Sequence, residues 1–177
     1  MLRAALERFR THGFAATSLD DLAEATGVNR PSLYAAFGDK KSLYLAAIAR
    51  TQAGVERQFD ALIAADYPME KMLKALFLTT IEGYLTGENG PSGCIAINTA
   101  ATEAVTDPEI RAALAGFLAV EDEKIEVLLR QAGSLAPEAH ARILASMLHS
   151  LSVRARAGEP RETLAALARD TAAIIGG

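Results

Sequence analysis

Few residues in this chain are spaced for chemistry. His12, His140 and His149 lie far apart, and no HExxH, GxSxG or P-loop spacing occurs. Glu138, His140 and His149 follow one another at intervals of two and nine, which do not place a metal-ligand set on one helical face. Glu121, Asp122 and Glu123, in the run EDEK, fall on one helical turn and read as a solvated face. No enzyme, metal site or cofactor is therefore expected. Cys94, the single cysteine, follows a glycine-rich loop at the start of a helix. A helix N-terminus lowers a thiol pKa, so Cys94 is a candidate reactive thiol beside the plainer reading of a buried, inert one. The most pointed feature is Arg30, which opens a very short helix with Pro31, Ser32 and Tyr34. An exposed guanidinium there can make paired hydrogen bonds to a base edge, guanine above all.

The elements that must position this arginine are short. Ala23 is small enough for two helices to cross closely, Gly27 makes the tight turn between them, and Leu33 plugs the apolar space. That is a helix-turn-helix pattern, whose second helix presents its N-terminal residues to the major groove of DNA. Thr17, Ser18, Asn29, Arg30, Pro31, Ser32, Tyr34 and Lys40 are the expected DNA contacts. Among them Ser32, the backbone N–H groups near Thr17, and Lys40 are placed to hold phosphates, which fixes register but reads no sequence.

Apolar residues recur at helical spacing along the whole chain, and no convincing strand appears. Leu2, Leu6 and Phe9 mark a first amphipathic helix that Gly13 stops. Thr17 and Ser18, with Asp20 and Asp21 behind them, make a capping-box-like start to a second, and Asn29 caps a third running to Phe37. Asp39 caps a long fourth helix to about Ala65. Pro68 opens a fifth, Cys94 a sixth, Asp107-Pro108 a seventh, Pro137 an eighth, and the run GEP turns into a ninth. The stretch GENGPSG has the least ordered look of all. The expectation is an all-α protein of about nine helices, divided into residues 1–45 and 46–177.

Bulk composition sets limits on this picture. The 177 residues are half apolar and carry a net charge of −4, too acidic to coat nucleic acid or membrane by bulk attraction. The charge is uneven: residues 1–50 hold seven Lys/Arg against five Asp/Glu, and the rest eleven against seventeen. No run approaches the roughly 20 apolar residues of a membrane span. With no signal-peptide pattern and no disulfide possible within the chain, a cytoplasmic protein is expected.

The order of residues in TSLDDLAEATGVNRPSLYAAFGDKKSLY resembles the N-terminal domain of TetR-family (tetracycline-repressor-like) transcriptional regulators. Thr17, Ser18, Leu19, Leu22, Ala23, Gly27, Val28, Ser32, Leu33, Tyr34, Phe37 and Lys40 carry the likeness. It implies a three-helix DNA-binding domain joined to a helical ligand-binding and dimerisation domain. It also implies a homodimer on a palindromic double-stranded operator, usually as a repressor, released by a small molecule. Ala35 and Ala36 stand where the family often has bulky or polar side chains, so base reading would rest more on Arg30 and Tyr34.

Beyond residue 50 the reading is physical. Leu144, Leu148 and Leu151 line one face of the eighth helix, and Leu164, Leu167, Thr171 and Ile174 one face of the ninth. They are the expected dimer interface, as half of a four-helix bundle. Apolar walls with a few polar groups single out Phe59, Ile63, Phe77, Thr80, Tyr84, Asn98, Thr102, Phe117, Glu121 and Met147 for the effector pocket. Asn98 and Tyr84 would orient an apolar or aromatic effector, which would tilt the fourth helix near Phe59 and Ile63. Two alternatives keep the fold: a redox- or electrophile-sensing regulator acting through Cys94, or a helical protein-binding adaptor that leaves Arg30 unexplained.

Overall fold

Side-chain caps set the starts of four helices in the computed structural model, which describes residues 1–177 as nine helices without a strand. Helix α1 (Leu2–His12) ends at Gly13, whose φ of 82° a side chain would resist. Helix α2 (Leu19–Thr26) opens with a full capping box between Ser18 and Asp21, and Gly27 closes it in the left-handed region at φ 70°. Asn29 accepts from the Ser32 N–H to start α3 (Arg30–Phe37), and Asp39 from the Ser42 N–H to start α4 (Lys40–Ala65). Helix α5 spans Met69–Leu85. The sixth element, α6, begins with a wide π-type turn (Ala96–Ala100) and finishes as one α-turn (Ala101–Glu103). Helices α7 (Pro108–Gln131), α8 (Pro137–Arg156) and α9 (Arg161–Gly176) complete the chain, with Asp107 capping α7.

Two cores form. The first gathers Phe9, Leu22, Leu33, Leu43, Tyr44 and Ile48 from the N-terminal helices with Ile95, Ala100 and Ile110 from α6 and α7. Its centre is aromatic: Tyr44 lies 5.0 Å from both Phe9 and Phe14 between ring centroids. The second core gathers Phe59, Leu76, Phe77, Ile125, Leu129, Leu148 and Leu164 from α4, α5, α7, α8 and α9. Helix α4 belongs to both, so the expected 45/46 division falls inside an unbroken helix. A rigid rod thus joins the two ends of the molecule.

Two expectations change here. Leu144, Leu148, Leu151, Leu164 and Thr171 are buried inside the protomer and face its own second core, so they present nothing to a partner. The strongest apolar stripe of α8 is consumed by α5, α7 and α9, which surround it. Ile174 is 67% exposed and Leu167 half-buried, so these two remain on the outer surface. The glycine-rich stretch also differs from its look, because its end is packed: Ser92, Gly93 and Cys94 are buried. Gly93 and Ser92 both donate their N–H groups to the Tyr84 carbonyl, tying the loop to the end of α5. A side chain at Gly93 would sit 2.0 Å from Asn98 Nδ2 and 2.6 Å from the Ser152 carbonyl. No helix is long and apolar enough to cross a membrane.

Candidate nucleic-acid interface and inner cavity

Helix α3 presents an outer face made of its first turns. Leu33 is buried and anchors the helix against the first core, while Arg30, Pro31, Ser32, Ala35 and Ala36 are exposed and Tyr34 is 47% exposed. Helix formation at so short a length depends on its ends, since isolated eight-residue helices do not persist in water. Asn29 at one end and Gly38 at the other supply what propagation cannot. Arg30 pairs with Asp20 of α2, its Nε donating at 2.5 Å and its Nη2 donating to the other carboxylate oxygen. Both partners are exposed, so the pair is held weakly and the guanidinium can exchange Asp20 for another acceptor.

The other expected contacts separate into free and engaged groups. Asn29 and Ser18 act as helix caps on the same exposed surface. Thr17 is buried: its hydroxyl donates to the Gly13 carbonyl at 2.6 Å and its N–H to the Phe14 carbonyl. The phosphate-holding N–H groups expected near Thr17 are thus already partly satisfied within the chain. Lys40 is engaged as well. Its Nζ donates to the carbonyls of Phe14 and Thr17, each at 3.0 Å, and stands 4.2 Å above the Phe14 ring. A lysine so held positions the α1–α2 turn rather than reaching outward.

Between α1, α4, α5, α6, α7 and α8 lies a cavity of about 170 Å³. Five of the expected pocket residues line it: Phe59, Thr80, Tyr84, Phe117 and Glu121. The other five do not. Ile63 packs at the edge of the second core as does Met147, and Thr102 is exposed. Phe77 lines an outer groove between α5 and α9 instead. That groove is larger, about 620 Å³, and is lined by Leu78, Ile81 and the small residues of α9 together with the charged Glu70, Lys74 and Arg169. Asn98 serves the loop before α6. Its Nδ2 donates to the Ser92 carbonyl at 3.2 Å, and its Oδ1 accepts from the Ser152 hydroxyl at 3.3 Å.

The inner cavity is polar in a few places only. Glu121, 4% exposed, accepts from His149 Nε2 at 2.5 Å through one oxygen. Gln58 donates to the Thr80 hydroxyl at 3.3 Å. Burial pushes the Tyr84 hydroxyl well above its ordinary pKa, with Cys94 and Glu121 adding to the rise. The Cys94 thiol also lines the cavity, and burial pushes it up to about 11. The N–H groups of Ile97 and Ala96 lower it as a helix start should, but desolvation is larger and Glu121 opposes them. The thiolate that a redox or electrophile sensor needs is therefore disfavoured. Sequence reasoning missed Arg10, which reaches this cavity from α1 across more than 70 residues of chain. Nothing local to Arg10 signals that destination.

Comparison with known proteins follows the same two-part division. A family model described as bacterial regulatory proteins of the tetR family matches residues 1–47, and one for a tetracyclin repressor-like C-terminal domain matches residues 70–174. The chain is 30% identical to the HTH-type transcriptional repressor ComR of Escherichia coli, over 96% of this chain and 84% of that one. It is 27% identical to the HTH-type transcriptional repressor BdcR of the same organism, over 99% and 85% of the two chains. A cysteine mutant of the regulator CifR, solved in complex with 26-base-pair double-strand operator DNA, superposes with a TM-score of 0.85 at 26% identity. That match covers 97% of this chain and 93% of CifR.

Proposed function

Because this chain belongs to the tetR family of bacterial regulatory proteins, we propose that it binds a palindromic operator as a homodimer and represses transcription until a small molecule releases it. The observation that carries the reading is the exposed Arg30 guanidinium at the first turn of α3, held by nothing firmer than exposed Asp20. Its chemistry is DNA binding and not catalysis. Arg30 and Tyr34 read bases, while Ser18, Asn29, Pro31 and Ser32 lie against the backbone. Thr17 and Lys40 act one step back, fixing the turn that carries them. Residues 1–45 serve as the DNA-reading head and 46–177 as the sensing and pairing body. A cytoplasmic location suits this role.

Pairing uses the outer faces of α8 and α9. Ile143 and Val153 on α8 are 44% and 53% exposed, and Ile174 on α9 is 67% exposed. With half-buried Met147 and Leu167 they form a second apolar stripe beside the one turned inward. Two copies meeting there place two heads about one DNA turn apart. The effector, apolar or aromatic, occupies the cavity lined by Phe59, Tyr84, Phe117 and Glu121. The redox alternative needs a thiolate that burial of Cys94 disfavours, and an adaptor leaves Arg30 without a use.

A titration of labelled DNA flanking the protein's own gene tests the reading. Specific binding should be at least about a thousandfold tighter than to random DNA of equal length. Equal affinity for the two would remove the operator-binding role.

A further inference from the structure

Arg10 is the one charged side chain that links the head to the cavity wall. It stands on the last turn of α1, yet Nη1 donates to the carbonyls of Gly83 at 3.2 Å and Gly93 at 3.3 Å. Nη2 donates to the Thr86 carbonyl at 2.5 Å and to Glu7 at 2.7 Å. Gly83 and Gly93 line the cavity beside Arg10 itself. The buried Nε has no hydrogen-bond partner within the chain. A guanidinium is costly to leave with an unmatched N–H away from water, so Arg10 gains whenever an acceptor comes within reach.

Size and charge narrow what that acceptor belongs to. A cavity of about 150 Å³ is large enough for one benzene molecule, and this one, open to solvent beside Thr79 and Gly83, measures about 170 Å³. Phe59, Phe117, Leu76 and Leu148 supply walls for one ring. Arg10 is already paired with Glu7, and Glu121 lines the same cavity, which together favour an uncharged acceptor over an anion.

Resting on the operator-binding role above, we propose that the cavity takes an uncharged single-ring compound bearing a carbonyl oxygen, and that Arg10 is the residue that senses it. The carbonyl accepts from the unmatched Nε, and the guanidinium shifts toward it, stretching the Nη bonds to the carbonyls of Gly83, Thr86 and Gly93. Those bonds fasten α1, and with it the head, to the end of α5. Once they loosen, the head is no longer fixed at the angle the operator requires. A ring without an acceptor fills the same space but leaves the fastening intact. A second fastening, from Arg156 to the carbonyls of Arg10 and Thr11, lies on the surface outside the cavity and does not sense the ligand.

The test uses acetophenone and ethylbenzene, which differ by the carbonyl, with the full-length protein on its operator. Calorimetry reads probe binding and anisotropy reads operator affinity. Both probes should bind, and saturating acetophenone should weaken operator binding about tenfold or more while ethylbenzene changes it less than about threefold. Arg10→Met removes the fastening together with the sensor, so it should bind operator about tenfold or more weaker than wild type without any probe, and acetophenone should weaken it no further. Arg156→Met should keep the acetophenone response, because it removes a fastening without removing the sensor. Should Arg10→Met fold poorly, Arg10→Lys retains the positive charge without Nε and should cut the response at least threefold. Equal responses to the two probes, an undiminished response in the Arg10 variants, or no binding of acetophenone would overturn the proposal. Loss of operator recognition by wild-type protein without any probe would instead overturn the role beneath it.

Discussion

The head, α1 to α3 with the first turns of α4, and the body, the rest of α4 with α5 to α9, differ in what shapes them. The turns of the head are set by bonds between neighbours: Ser18 with Asp21, Asn29 with Ser32, Asp39 with Ser42 and Thr17 with Gly13. Around the cavity of the body the bonds run between helices. Glu121 meets His149, Cys94 N–H meets Ser152, and Gln58 meets Thr80. Local caps define a rigid shape whatever surrounds them, which suits a surface that must fit one DNA geometry. Bonds between helices hold only while the helices keep their spacing, which suits a part that must respond when something enters it.

The contrast is sharpest at the apolar stripes of α8 and α9. Leu148→Asp should cost more than about 4 kcal/mol and unfold the body, because it buries a charge in the second core. Ile174→Asp, on the exposed stripe, should instead leave a folded monomer with weakened operator binding. Thermal melts and sedimentation separate these results; a folded monomer from Leu148→Asp would return the inward stripe to the interface.

The same contrast explains what could be read from the sequence. Helices α2, α3 and the start of α4 were legible because each cap sits three residues before the N–H it accepts from and Gly27 marks the turn, while α1, without a side-chain cap, showed through its apolar spacing. The body's helices were legible too, from proline and aspartate at their starts, but not which of their faces meets which neighbour. Leu144, Leu148 and Leu151 form as good a stripe for a partner as for a core, and only packing decides. Five of the ten residues expected for an effector pocket line the cavity, among them Thr80 and Glu121, where a polar group interrupts an apolar helix face. Asn98 misled because a buried amide serves a loop as readily as a ligand. Arg10 was invisible, since its target carbonyls carry no side-chain signature.

A smaller effect should separate reading from positioning within the head. Lys40→Ala should lower stability by about 1–2 kcal/mol through loss of its bonds to Phe14 and Thr17 and its place over the Phe14 ring. The salt dependence of operator binding should be nearly unchanged. A salt slope reduced by about one per half-site would show Lys40 contacting phosphate after all.

Smaller again is a pH effect in the body. The fold raises the Cys94 thiol from an ordinary 9.0 to about 11, so it favours the protonated form. That contribution is whole below about pH 9 and is lost as pH rises through about 11. Urea midpoints should fall further between about pH 8 and about pH 10.5 for wild type than for Cys94→Ala, whose cavity cost does not change with pH. At neutral pH an alkylating reagent should modify Cys94 far more slowly than it modifies the unfolded chain. Equal falls, or rapid native-state alkylation, would reopen the sensing thiol.

The central claim is that Arg30 reads a base while the rest of the head holds it in place. The direct measurement is the affinity of wild type and Arg30→Ala for the operator and for random DNA of the same length, at one salt concentration. The variant should lose about ten- to a hundredfold per half-site on the operator and far less on random DNA, with tolerance appearing at one base position. An equal loss on both DNAs, with discrimination preserved, would make Arg30 a backbone contact and contradict the account.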